Sequence, residues 1–384
     1  MNGSPGIDEE YGPEHALAAL ARTRRAGASA RHEDTEELAV AVADALLHLQ
    51  LRTWDFGDSV CFEALVAASD ALGHERWARF AHGWGRAWAT RSKPFTRLDC
   101  TLPGRVLVGL AVRYGDQQLL HALRDLADYL MSRPTLDGVY ESLPRAPLLS
   151  PYSGVPLDER QKALLDDPPP GVFVDCMHFD PPFLIALGLT TGESRYRDAG
   201  VEQALGYIQL LQREDGLFDH FVLRGQTGTF GPGWGRGQGW AVLGLLDVVE
   251  KLGQEDGSRA TIVGSARRLL ESMAALQRSD GHWHAVVTDP ESGDEFSTAA
   301  FMARAFSEGL RLGVVSGDQP SAALALARQA VIGSLDAEGR LREVSAAVYA
   351  STAPSHYGCV PRGYVVPWGQ GPALLALISG KGAP

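Results

Sequence analysis

LQREDGLFDH, Leu211 to His220, recurs as LQRSDGHWHA, Leu276 to Ala285. Each copy closes an apolar helical stretch and passes through an Asp-Gly turn into a short aromatic or polar step. Looser echoes stand at LDGVYES (Leu136 to Ser142) and LDAEGRLREV (Leu335 to Val344). A helix, a turn and a strand-like step thus recur every 60–80 residues or so, about the length of a helical hairpin plus its loop. About six such hairpins fit in the chain, enough to close a ring of inner and outer helices; an open solenoid wants more regular repeats with polar caps. The expected fold is all-α, an (α/α)6 toroid forming a single domain over residues 31–384, preceded by a flexible or partly ordered segment, 1–30. On the repeat alone, a generic helical-repeat scaffold stays open.

Between the repeats the periodicity is helical. EELAVAVADALLHLQ, DSVCFEALVAASDALG, RVLVGLAVRYGDQQLLHALRDLADYLM and GWAVLGLLDVVEKLG all place apolar residues three and four apart. Trp240 to Val249 is apolar around most of its circumference, as a helix buried on both sides should be. One long irregular stretch, PRAPLLSPYSGVPLDERQKALLDDPPPG (144–171), interrupts the pattern. With 45% hydrophobic and 21% charged residues, the chain has material for a large core. Its formal charge of -12, with no basic cluster beyond Arg22 to Arg25, excludes a nucleic-acid groove and disfavours a polyanionic polymer as partner. Cys61, Cys100, Cys176 and Cys359 show no zinc or redox spacing and read as reduced thiols. No stretch of about 18 apolar residues and no signal-peptide pattern occurs, so a cytoplasmic protein, monomer or homodimer, is expected.

Chemistry concentrates in three places. In GVFVDCMHFDPPFLIALGLTTGESRYRDAG (Gly171 to Gly200), Asp175 lies among Val174, Met177 and Phe179, just before a helix expected from about Pro182. Burial there would favour its protonated, proton-donating form, although an aspartate before a helix also serves as an N-cap. Asp99, in FTRLDCTLPGRVLVGL, has the same pair of readings, and two such carboxylates could meet over the central cavity of a toroid. In GPGWGRGQGWAVLGLLDVVE (Gly231 to Glu250), glycines let the backbone approach a ligand. Trp234 and Trp240 offer flat faces for a sugar ring, Gln238 an amide, and Arg236 a partner for a carboxylate. His220, His282 and His284 fall on the Asp-Gly segments and would share a rim, with His220 and His284 as binding candidates. A zinc site drawing on His178, His220, Cys100 or Cys176 lacks any recognisable ligand spacing, so neither metal nor cofactor is expected.

These residues resemble a family. FVDCMHFDPPFLIALGLTTGESRY, DGLFDH, WGRGQGWAVLGLLDVVE, DGHWHAVVTDPESGDEFSTAAFMARAFSEGLRLG and YASTAPSHYGCVPRGYVVPWGQGPALLAL are similar to blocks of the unsaturated uronyl hydrolases of glycoside hydrolase families 88 and 105. The resemblance runs from about Trp54 to Leu377, and WGRGQGW and the VD block are its specific motifs. It implies an intracellular enzyme that removes a terminal 4,5-unsaturated uronic acid from lyase-generated oligosaccharides by hydrating the C4=C5 bond. By resemblance, Asp175 stands where the general acid/base stands and Asp99 where its partner carboxylate stands. His220, Trp234 and Arg236 fall at substrate contacts, Arg236 holding the uronate carboxylate, and Trp54 or Phe56 supplies a further aromatic platform. VYESLPR departs from the pattern by placing Glu141 where many members carry a histidine. Two rival readings are an inverting hydrolase of saturated glycosides, with the aspartates far enough apart to admit a water, and a carbohydrate-binding toroid whose aspartates are only caps.

Overall fold

The computed structural model describes residues 24–379 except 33, 50, 52–56, 91–94 and 96–100. Trp54, Phe56, Asp99 and Cys100 therefore lie outside the described residues. Among the described residues, apart from one short helix, α6 (Glu159–Asp166), the helices fall into two concentric rings. The inner ring is α2 (Asp58–Leu72), α4 (Gly104–Tyr114), α7 (Asp180–Thr191), α9 (Gly235–Lys251), α11 (Ser297–Arg311) and α13 (Pro367–Ile378), each packed on the next and α13 packed back on α2. The outer ring is α3 (Glu75–Ala89), α5 (Gln117–Met131), α8 (Ser194–Leu211), α10 (Arg259–Ala275), α12 (Asp318–Gly333) and α1 (Thr35–Leu46), each backing onto its inner partner. Six hairpins close into the expected toroid, the last formed by α13 with α1.

Position in the ring explains composition. An inner helix has protein on both sides, so α9 is buried without a break from Gly235 to Leu246 and α7 from Asp180 to Gly188. An outer helix needs one apolar stripe, and α5 buries Leu119, Leu123, Leu126 and Leu130 while its other face is wet. The inner helices α2, α4 and α7 all end on a left-handed glycine, Gly73, Gly115 and Gly192, which stops the helix and reverses the chain into its outer partner.

The repeated turns share one further device. The carbonyls of Gly138, Gly216, Gly281 and Gly339 each accept a hydrogen bond from a glutamine amide, of Gln203 (2.9 Å), Gln212 (2.9 Å), Gln277 (3.1 Å) and Gln370 (3.0 Å) respectively. Each amide meets a turn carbonyl, three of them, at Gly216, Gly281 and Gly339, on buried residues. The turns lead into short strands: β1 (Thr135–Leu136) with β2 (Val139–Tyr140), the antiparallel sheet β3 (Gly171–Phe173), β4 (Asp219–Leu223) and β5 (Phe230–Pro232), and β6 (His284–Val286) with β7 (Asp289–Asp294). In the three-stranded sheet Phe173 pairs with Phe221 and Phe221 with Phe230, and the three rings stack at 5.1 Å spacings.

One expectation changes. The 144–171 stretch is not irregular throughout, because α6 forms inside it on a capping box: Asp158 accepts from the Gln161 N–H (2.8 Å) and Gln161 accepts from the Asp158 N–H (3.0 Å). The stretch then lies along a later loop, with Leu149 N–H donating to the Ala350 carbonyl (2.8 Å). Residues 24–30, within the segment read as flexible or partly ordered, lie on the ring: Gly27 N–H donates to Asp336 (2.7 Å) and Ala30 N–H to the Leu335 carbonyl (3.0 Å).

Candidate active site

Asp175 sits on a single 3-10 turn, Val174–Met177, between β3 and α7. That turn presses against α9, where the backbone carbonyl of Met177 occupies the place a side chain at Gly244 would need. The capping role open from sequence is not the one seen: the residue before α7 is Phe179, and no side chain caps that helix. The Asp175 carboxylate, 15% exposed, instead faces His220 of β4, with Oδ2 3.3 Å from Nε2.

His220 is the hub. Its Nδ1 lies 2.7 Å from the Tyr357 hydroxyl, and its ring meets Trp234 at 4.4 Å between centroids. Phe173 and Phe221 contact it edge-on. Tyr357 comes from the turn Pro354–Cys359, so elements distant in sequence converge here. Gly231 seals the seat: at φ +67°, a Cβ there would overlap the Tyr357 hydroxyl and crowd the His220 Cβ.

The WGRGQGW run supports the site rather than lining it. Arg236 is 0% exposed; Nη1 donates to Glu295 (3.1 Å) and Ser345 Oγ (2.8 Å), and Nη2 to the Ala346 carbonyl (3.3 Å). Burial lowers its pKa, with Glu295 and then Asp175 opposing the shift. A guanidinium so enclosed and paired is not presented to a substrate carboxylate, which corrects the expectation for this residue. Trp234 is enclosed as well, packed over Gly237 and under His220, with Arg236 5.1 Å from its ring centroid. Gln238 exchanges two hydrogen bonds with the Phe218 backbone (2.8 Å each), and so ties the strand of His220 to α9. Trp240 is core, between His178, Phe179 and Phe301, and offers no sugar platform. His284 of β6 is half-buried; its Nδ1 is enclosed without a hydrogen-bond partner among the described residues. His282, by contrast, stacks on Phe296 and is held neutral by burial, its pKa pushed down to about 4. Glu141 is buried and paired with Arg224.

Below the site, a charged cluster that sequence reasoning missed crosses the toroid axis. Arg105 of α4 bridges Glu63 of α2 (3.1 Å) and Asp247 of α9 (2.8 Å), and His178 Nε2 reaches Glu63 (3.1 Å). Burial pushes Asp247 up to about 6, whereas Arg105 and His178 overcome burial at Glu63 and hold it well below the carboxylate range. Glu63, His178 and Asp247 lie close enough together to hold a cation, but Arg105 already supplies that positive charge. Single charged residues inside apolar helices were the available signal. Tyr357 stood within the quoted YASTAPSHYG block without being singled out.

Comparison with known proteins now adds identity to the geometry. The profile of Glycosyl Hydrolase Family 88 matches residues 35–381. The unsaturated rhamnogalacturonyl hydrolase YesR of Bacillus subtilis is 24% identical over 347 residues, 89% of this chain and 94% of that protein. Among solved structures, a family 105 glycoside hydrolase of C. acetobutylicum superposes with a TM-score of 0.71 at 16% identity, covering 89% of this chain and 98% of that one. The unsaturated glucuronyl hydrolase of Bacillus sp. GL1 superposes at 0.64 and 19% identity, covering 89% and 94%.

Proposed function

Given that the chain belongs to glycosyl hydrolase family 88, and is thus a glycoside hydrolase, we propose that it releases a terminal 4,5-unsaturated uronic acid from lyase-generated oligosaccharides, with Asp175 as general acid and base. The observation that carries the catalytic assignment is the Asp175 carboxylate, partly exposed on a rigid turn and held against His220. The unsaturated ring is an enol ether. Protonated Asp175 gives its proton to C4, the C4=C5 π pair forms the new C–H bond, and the cation left at C5 is shared with the ring oxygen. The Asp175 carboxylate then takes a proton from a water whose oxygen adds at C5. The resulting hemiketal opens and expels the neighbouring sugar. His220 favours the carboxylate that forms when the proton leaves, so its contact strengthens along the reaction. Asp99 keeps its proposed place as the partner carboxylate, Trp54 or Phe56 as sugar platform and His284 as a contact.

Among the described residues no helix is long and apolar enough to cross a membrane. The free thiols of Cys61, Cys176 and Cys359 support a reducing compartment, the cytoplasm. The enzyme is proposed to act as a monomer or homodimer. The test is the ultraviolet band of the conjugated C4=C5 bond during incubation with unsaturated disaccharides from several acidic polysaccharides. The band disappears with the parent enzyme, and Asp175→Asn slows its loss by at least about 100-fold. A flat trace with every disaccharide defeats the proposal and favours saturated glycosides.

A further inference from the structure

We propose that Tyr357 is a positioning residue for this reaction: its hydroxyl fixes His220 in the tautomer that presents Nε2–H to Asp175. The proposal rests on the functional reading above. It begins from hydrogen-bond roles. The Tyr357 hydroxyl lies 2.7 Å from His220 Nδ1 and also accepts from the Ser351 backbone N–H. Burial, reinforced by Asp175 and then Asp219, pushes the phenol well above its ordinary range, so the oxygen keeps its proton. Among the described residues the side-chain partner of that hydroxyl is Nδ1, which can take the proton. An imidazole accepting at Nδ1 carries its own proton on Nε2, and Nε2 is the atom 3.3 Å from Asp175 Oδ2.

The direction of this chain matters to the chemistry. A neutral histidine free to choose its tautomer would accept the Asp175 proton on Nε2 and place its own on Nδ1. The acid would then spend its resting time hydrogen-bonded to imidazole rather than aimed at C4. With Nδ1 blocked, Nε2 can only donate, so the Asp175 proton stays available to substrate and the carboxylate is stabilised once the proton has gone. The surroundings are built to hold the hydroxyl still: Gly231 leaves no slack behind it, and the neighbouring His356 is pinned by donating to the Val348 carbonyl (2.8 Å) and accepting from Tyr152 N–H (3.3 Å).

The experiment is nitrogen-15 NMR of the histidine side chains in the full chain, with the His220 signals assigned by their loss in His220→Asn, combined with steady-state kinetics of Tyr357→Phe. The parent should show the neutral imidazole of His220 as the Nε2–H tautomer. Tyr357→Phe should show a tautomer mixture, with kcat lowered at least about tenfold and KM changed much less. A parent His220 protonated on Nδ1, or a Tyr357→Phe enzyme that keeps both tautomer and kcat, overturns the proposal. The NMR arm needs no substrate and no variant of Tyr357. A parent that turns over no unsaturated uronide while showing the Nε2–H tautomer therefore defeats the functional reading and leaves the tautomer assignment standing.

Discussion

Arg236 shows what one residue can and cannot disclose. Sequence reading recognised that WGRGQGW needed its arginine, and missed that the need was internal. The signal lay in DEFSTAA, where Glu295 hydrogen-bonds Ser297, both groups of Thr298 and Arg236, and so caps α11 while neutralising the guanidinium. Nothing in local sequence tells whether an arginine will pair with a ligand or with a glutamate 59 residues away. Removing one partner strands the other charge in the interior. Arg236→Ala is expected to cost about 3–5 kcal/mol of stability, and the double variant Arg236→Met with Glu295→Gln to recover much of it, as urea unfolding would show. Were Arg236 a substrate contact, KM would rise in both variants while the double variant regained stability without regaining KM.

At the scale of elements, the Asp-Gly steps and their spacing were legible because turn chemistry is local. The glutamines that brace them were only half legible: Gln212 and Gln277 stand inside the repeated LQR segment, four residues before their glycines, whereas Gln203 and Gln370 lie on other elements and look like any polar residue. The same limit hid the fit between the Asp175 turn and α9. Gly244 reads from sequence as a weak point in a helix, yet it is where the turn's backbone enters. Gly244→Ala should displace that turn, costing about 1–3 kcal/mol or more and most of the activity. Gly109 in α4, with nothing within 4 Å of a built Cβ, is the control. Gly109→Ala should stabilise by about 0.5–1 kcal/mol with kcat unchanged, so thermal unfolding and turnover separate the two glycines.

For the whole molecule, the ring was legible from the repeat and its count, whereas the ionic cluster on its axis was not. Charges drawn from several helices meet only after closure. Buried titratable groups also set the response to acid. His282 and His356 are both pushed from an ordinary 6.5 down to about 4 by burial, so below pH 6.5 the unfolded chain takes up protons that the folded one refuses. Stability should fall as pH drops from 6.5 toward 4, by about 2 kcal/mol per imidazole near pH 5. Asp247, raised to about 6, works in the opposite sense, as do Asp180 and Asp219, both also raised by burial, so the imidazole share is read from the histidine variants. Urea midpoints measured across this range check the slope, and His282→Gln should flatten it.

The ring also has a seam. The hairpin of α13 with α1 is the one whose halves are not neighbours along the chain, and the strap beside it reaches as far, with Arg25 donating to the Arg362 carbonyl 337 positions away. Other hairpins can form as soon as their two helices exist, but this one waits for nearly the whole described sequence to be in place. Closing it means searching for a distant segment, which carries the largest loop-closure entropy in the fold and makes it a natural late step in folding. Tyr357 and α13 arrive together on that last stretch, so an open ring has a core but no complete catalytic centre.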